Sequence, residues 1–284
     1  MSGQQVSGAW AGVGGFKGSA DLSTFTVTLN MPSAGFKGTV KLTSNAAHHF
    51  ACNSTTDPYF SSAIPSGTKL TDAEALLYTQ LGWAITTPGT YTDSSLCYLA
   101  IMFSAGATSH VDMTINGTKL HFTGLGYHDA SWLPQPFNAA VSTWYFGQAQ
   151  VGEYDISCAS VTPTNSTKIL NIGYLSHRGI VLQNQCSIDG TKQTDRSSIS
   201  PYGLQNDTVA GGINVPTGFI VEYILANGEK FKFNLSSVGG AQNPDQNVYH
   251  RWAGKATGGK VGENKAFGLA VFEWLNPGLE NYNP

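Results

Sequence analysis

Apolar residues in this chain recur at every second position, and that period decides most of what the chain can fold into. Phe25, Val27 and Leu29 fall on one side of segment 24–30, with threonines opposite. Val111, Met113 and Ile115 repeat the pattern, Asn116-Gly117 interrupts it, and Leu120 and Phe122 resume it. Phe231, Phe233 and Leu235 alternate with Lys230, Lys232 and Asn234 after a second turn signal at Asn227-Gly228. Successive side chains of a strand point to opposite faces, so such segments bury one face of an antiparallel sheet. Asn-Gly between alternating runs is the strongest short hairpin signal. Asp189-Gly190, after the apolar stretch 179–183, marks a third turn.

A chain of 284 residues is long enough for two domains or one large β-architecture. Charged residues make up 12 %, roughly half the usual share. One helix is expected, where Thr71-Asp72-Ala73-Glu74 forms a capping box ahead of Leu76 and Leu77. The stretch from Gln193 to Asn214 is polar and reads as a long loop or lid. Both halves show hairpins ending in a Gly- and aromatic-rich strand. The expectation is all-β: two tandem lipocalin-like antiparallel β-barrels with few short helices. Pro134 and Pro136 break the pattern after Trp132, which puts the boundary at residues 1–138 and 139–284.

The net charge of −3 gives no electrostatic case for nucleic acid or acidic membranes. No apolar run approaches the ~18 residues of a membrane span. The four cysteines, Cys52, Cys97, Cys158 and Cys186, contain no C-x-x-C pair. Two disulfides are expected, Cys52–Cys97 and Cys158–Cys186, each within one half; buried free thiols are the other reading. Five sequons stand at Asn53, Asn116, Asn165, Asn206 and Asn234. Their number is near chance, but Asn116 in a turn and Asn234 on a polar strand face are solvent-facing. The expected location is the secretory pathway, with any signal peptide already removed.

The common catalytic motifs are missing: no GxSxG elbow, Walker loop, GxGxxG after a strand or H-E-x-x-H. His48 and His49 are adjacent, so on a strand they diverge, and a structural role outweighs a metal site. One segment concentrates chemistry: Gly124-Leu125-Gly126-Tyr127-His128-Asp129-Ala130-Ser131-Trp132. A histidine beside a carboxylate can move protons near neutral pH. Strand neighbours face opposite sides, however, so His128 and Asp129 either act through a bulge or tie a domain joint by hydrogen bonds.

That segment resembles the G-x-G-Y-H-D-H-N-W signature of the hydroxyneurosporene synthase-like family, which holds bacterial carotenoid hydratases and fungal Diels–Alderases. Ser142–Ala149 is similar to the family's W-Y-W-G-x-A strand, and Tyr249–Trp252 with Gly268–Trp274 to its closing strands. The resemblance covers roughly residues 80–284, and a first barrel lacking its first strands is expected. Ala130 and Ser131 replace the family's second His and its Asn, and Ala130 transfers no proton. The resemblance therefore implies a cofactor-free pericyclase rather than a hydratase. It implies a fungal intermolecular (hetero-)Diels–Alder cycloaddition of the tropolonic sesquiterpenoid kind, after dehydration to a quinone methide. The substrate is a small apolar polyketide or terpenoid held between the barrels. Alternatives are an epoxide or carbocation isomerase or hydratase, a non-enzymatic carrier, and a carbohydrate-binding β-protein.

The candidate catalytic residues are His128, Asp129, Trp132, Arg178 and Glu222. Candidate substrate contacts are Tyr127, Trp144, Tyr145, Tyr174, His177, Tyr223, Glu273 and Trp274. Glu222, inside the apolar run 219–225, is either a buried proton donor or a residue of a polar strand face. Glu273 carries the same ambiguity. Arg178 binds a phenolate or carbonyl oxygen, or sits in a surface hairpin turn. No metal or coenzyme is expected.

Overall fold

The computed structural model describes residues 7–46, 49–50, 100–103, 106–132, 141–164, 166–190, 194–207, 213–240 and 249–275, with only the backbone at 50, 100–103, 130–132 and 213. The strands in chain order are β1 (Ser7–Trp10), β2 (Gly14–Gly18), β3 (Thr24–Met31), β4 (Phe36–Ser44), β5 (His49–Phe50), β6 (Ala100–Phe103), β7 (Ala107–Ile115), β8 (Thr118–Gly126) and β9 (Asp129–Trp132). They continue with β10 (Val141–Val151), β11 (Tyr154–Pro163), β12 (Leu170–His177), β13 (Ile180–Ile188), β14 (Arg196–Asp207), β15 (Ile213–Ile224), β16 (Lys230–Ser237), β17 (Tyr249–Lys260) and β18 (Ala266–Leu275). A single 3-10 turn, Pro32–Ala34, is the helical element among the described residues. The expected helix at 71–82 and the expected boundary at 138 lie outside them, as do Cys52, Cys97, Asn53 and Asn165. The protein is all-β, built from curled antiparallel sheets of the lipocalin-like kind.

Two compact units emerge: Met1–His48 with Ser104–Asp129, and His49–Phe103 with Ala130–Pro284. Unit 1 carries a six-stranded sheet in the order β1-β2-β3-β4-β7-β8. Its register puts Phe25 beside Leu42 and Leu42 beside Ser109, and all three are buried. Asn116 and Gly117 make the β7–β8 turn with φ of 48° and 80°, the left-handed pair that a tight hairpin of this twist requires.

Unit 2 carries a nine-stranded sheet ordered β13-β12-β11-β10-β18-β17-β16-β15-β14, and β5-β6-β9 form a small third sheet. The large sheet curls until its two end strands meet. Gln183 on β13 donates from Nε2 to Asp195 at 2.5 Å and reaches the carbonyl of Arg196 on β14 at 3.3 Å. Gly173 on β12 has no side chain where the Ser197 side chain of β14 presses in. The lumen is filled by Phe219, Tyr223, Phe233, Trp252 and Phe272. Each such buried ring contributes about 1.5–3 kcal/mol over an exposed one.

Two expectations are corrected here. The stretch 193–214 is no long loop, since Arg196–Asp207 forms β14. Ser197 and Ile199 are buried among exposed polar neighbours, too weak an apolar row to read as a strand. Cys158 does not pair with Cys186. It is a free, buried thiol in the lumen core, and Cys186 is disulfide-bonded to a partner outside the described residues.

Candidate functional site: a buried half-polar sheet face in unit 2

Strands β11 and β12 are buried along almost their whole length on both faces. One face joins the lumen core. On the other, the register lines up four cross-strand rows from β10 through β11 to β12. Gln150, Asp155 and Ser176 form the first row, and Gln148, Ser157 and Tyr174 the second. Phe146, Ala159 and Ile172 form the third, and Trp144, Val161 and Leu170 the fourth. One end of the face is therefore polar and the other apolar.

At the polar end Gln148, Asp155, Tyr174 and Ser176 are all at most 6 % exposed. Gln148 Nε2 has no hydrogen-bond partner among the described residues, and the hydroxyls of Tyr174 and Ser176 lie side by side. His49 of β5 stacks on the Tyr174 ring with centroids 3.5 Å apart and planes 6° apart. Burial pushes the Asp155 carboxyl up to about 6. Burial also raises the Tyr174 phenol, the Ser176 hydroxyl counters it and the Asp155 charge adds to it. A carboxyl that keeps its proton close to neutrality is the kind of group that serves as a general acid.

At the apolar end Glu273 of β18 accepts from Trp144 Nε1 at 3.0 Å and from Arg251 Nε at 2.8 Å. Arg251 also donates to the Tyr249 hydroxyl at 2.9 Å. Burial opposes the Arg251 charge, but the Glu273 carboxylate and Tyr249 outweigh it and push its pKa up. Burial and the Glu273 charge likewise raise Tyr249. The Trp144 indole N–H is thus taken by Glu273, and its ring stacks on Phe146 at 5.8 Å. Among the described residues no three metal-ligating side chains converge.

The remaining expected residues fall elsewhere. Tyr127 donates to Asp129 at 2.8 Å, while His128 turns away and stacks on Phe25 at 4.2 Å. His128 and Asp129 therefore do not form a proton-relay pair, and burial lowers the His128 pKa. Trp132 lies in β9, its side chain outside the described set. Arg178 occupies the β12–β13 turn at φ 52° and pairs with Glu153 at 2.6 Å, so the surface-turn reading is the one observed. His177 stacks on Tyr154 at 4.5 Å. Glu222 is on the polar face of β15, paired with Lys232 at 2.9 Å with a side chain 49 % exposed, and is not a buried donor. Tyr223 and Trp274 belong to the filled lumen. Tyr223 donates to the Ser157 carbonyl at 3.1 Å, and Trp274 stacks on His250 at 5.5 Å. Tyr145 packs against Phe219 at the edge of that core.

Of the expected contacts, then, Trp144, Tyr174 and Glu273 share one buried face. Sequence reasoning missed Asp155, Gln148, Ser176 and Arg251. A signal existed for Asp155: a charge inside a strand whose alternate positions are apolar or small on both sides, in a chain poor in charge.

Comparison with known proteins places the chain in a family. The fold matches crystalline CghA with a TM-score of 0.66 at 20 % identity, over 96 % of this chain and 70 % of that one. The quinolone epoxide rearrangement protein penF of Penicillium thymicola is 27 % identical over 168 residues, 58 % of this chain and 43 % of its own. The quinolone epoxide rearrangement protein asqO of Emericella nidulans is 24 % identical over 232 residues, 81 % of this chain and 53 % of its own. The chain thus spans about half the length of these curated relatives. The profile of the family described as Diels-Alderase-like matches residues 2–276, and the chain belongs to that family.

Proposed function

We propose that this protein is a cofactor-independent cyclase of fungal secondary metabolism that opens a carbon–oxygen bond by proton donation and lets the bound skeleton rearrange. The observation that carries the reading is Asp155: a carboxyl buried to 6 % exposure, raised to about 6 by burial alone, beside Tyr174 on a face of neutral polar groups. Two curated relatives are named for epoxide rearrangement, which supports the same chemistry here. In the step, the Asp155 proton passes to the epoxide oxygen as one C–O bond breaks, and the bonding pair stays on oxygen. The electron-poor carbon is filled by migration or attack of a neighbouring bond. A proton released from the skeleton returns to the Asp155 carboxylate, so the net change is an isomerisation. The substrate is read as a small apolar polyketide- or terpenoid-type skeleton.

The family description favours a second reading. There the Asp155 proton goes to a benzylic hydroxyl, whose C–O bond breaks to release water, the phenolic proton returns to the Asp155 carboxylate, and the resulting quinone methide undergoes an intermolecular (hetero-)Diels–Alder cycloaddition, with positioning supplying up to roughly 7–11 kcal/mol. A carrier is disfavoured for unit 2 because aromatic rings fill its lumen. Location in the secretory pathway is part of the proposal. The disulfide-bonded Cys186 fits an oxidising compartment, and the sequon residues Asn116, Asn206 and Asn234 are exposed.

The test is to incubate the purified chain with a prenylated quinolone epoxide and, separately, with a quinone-methide precursor plus a terpene, and to follow products by chiral chromatography and mass spectrometry. An isomer of the epoxide formed well above the buffer rate supports the reading. Coupling of the second pair with the epoxide untouched gives the reaction to the cycloaddition, and binding without turnover of either overturns both.

A further inference from the structure

At the closure of the unit 2 barrel, the end of β13 and the start of β14 border a cavity of about 530 Å³. That lies within the range of about 300–1,000 Å³ that small-molecule sites occupy. Its floor departs from the aromatic filling of the lumen. Asn171 of β12 pairs with Ser187 of β13, and both line the cavity together with Ser197 of β14. The three are 4, 3 and 4 % exposed. Hydroxyls and an amide both give and take hydrogen bonds, so a buried floor of this kind suits a ligand carrying hydroxyls better than an apolar one. Tyr223 and Phe231 add apolar wall, since the Tyr223 hydroxyl is turned to the Ser157 carbonyl.

Charge narrows the ligand further. Arg196 and Lys230 stand on either side of Ile224 in one cross-strand row, about 10 Å apart, and both border the cavity. Glu222 borders it too, with its carboxylate engaged by Lys232 at 2.9 Å. Asp189 is the other acid of the lining. With Glu222 matched by Lys232, two cations face one carboxylate, which favours a single negative charge on the ligand. A guanidinium grips a carboxylate through two parallel hydrogen bonds, whereas a phosphate dianion would also meet the charge of Asp189.

We infer that this cavity binds a small polyhydroxy monocarboxylate, with Arg196 and Lys230 holding the carboxylate and Asn171, Ser187 and Asp189 holding the hydroxyls. The site is separate from the Asp155 face. Asp155 pairs with Ser176, whose odd spacing from Asn171 along β12 puts the two side chains on opposite faces.

The experiment is calorimetry or ligand-observed NMR on the full chain at pH 7 with three probes: D-glucuronate, methyl β-D-glucoside and cyclohexanecarboxylate. Glucuronate, which carries both the charge and the hydroxyls, binds about tenfold tighter than either of the others. Arg196→Gln lowers glucuronate affinity about tenfold and leaves the glucoside within about twofold, which also reports an intact fold. Ser187→Ala weakens glucuronate and glucoside alike, by about three- to fivefold. Asp155→Asn leaves glucuronate affinity unchanged. Failure of glucuronate to bind, equal binding of the glucoside or of cyclohexanecarboxylate, affinity unmoved in both Arg196→Gln and Ser187→Ala, or affinity lost in Asp155→Asn overturns the inference.

Discussion

Glu273 accepts the Nε proton of Arg251 at 2.8 Å on one carboxylate oxygen, and its other oxygen is occupied by Trp144 at 3.0 Å. With donors on both oxygens, Glu273 is an acceptor that ties β10, β17 and β18 together. Asp155 has no such partner among the described residues. Glu273 pairs with Phe146, and four positions further along β10 Gln150 pairs with Asp155, two strands across from Glu273, so the two acids lie about 16 Å apart. One acid is fixed by donors and the other is raised by burial, two carboxyls in different environments.

Removing the Glu273 acceptor leaves two donors short of a partner. Glu273→Leu is expected to lower stability by about 2–4 kcal/mol in urea unfolding. Glu273→Gln keeps an oxygen for Trp144 and loses less, about 1–2 kcal/mol. Equal losses in the two variants speak against the shared-acceptor role.

Asp155 is held at a cost to the fold. Its carboxyl rises from 3.8 to about 6, so the folded state favours the protonated form. Stability from this group is fully present below the unfolded value and is lost as pH rises through 6, by up to about 3 kcal/mol. Asp155→Asn is therefore expected to stabilise the protein by about 1–3 kcal/mol at pH 7.5 and to do little at pH 4. Denaturant midpoints at the two pH values decide it, and destabilisation at pH 7.5 counts against an unpaired acid.

Cys158 is inert while the fold is intact. Burial pushes its thiol up to about 12, with Ser197 opposing, and thiolate is the reactive form. Maleimide labelling followed by peptide mass mapping at pH 7 is expected to leave Cys158 unmodified in buffer and fully modified in guanidinium chloride.

Gly173 makes room for Ser197 at the meeting of β12 and β14. Gly173→Ala pushes a methyl into that side chain and is expected to cost about 1–3 kcal/mol. Gly173→Ala combined with Ser197→Gly recovers most of the loss if the contact is the cause.

The sequence made β15 and β16 legible because only one of their faces is buried. Phe231, Phe233 and Leu235 are inside and Lys230, Lys232 and Asn234 outside, as the alternation demanded. Strand β11 hid its role because both faces are covered, so Asp155, Ser157 and Ala159 are as buried as Ile156 and Cys158. β14 was hidden for the opposite reason, a nearly polar composition whose strand character comes from pairing with β15. The site was half legible. Trp144, Tyr174 and Glu273 stood out as aromatic or charged, whereas Gln148 and Ser176 acquire meaning only from their burial beside Asp155 and Tyr174. The Gly124–Trp132 motif identified the family without showing that His128 stacks on Phe25 instead of pairing with Asp129.

The most direct measurement is the pH–rate profile of epoxide isomerisation for the unaltered protein and for Asp155→Asn. A proton donated by Asp155 gives a plateau below about pH 5 and a fall approaching tenfold per unit above about pH 6.5. Asp155→Asn is expected to be slower by about 100-fold at pH 5.5 and flat across that limb. A variant that keeps the same rate and the same pH-dependent fall contradicts the assignment.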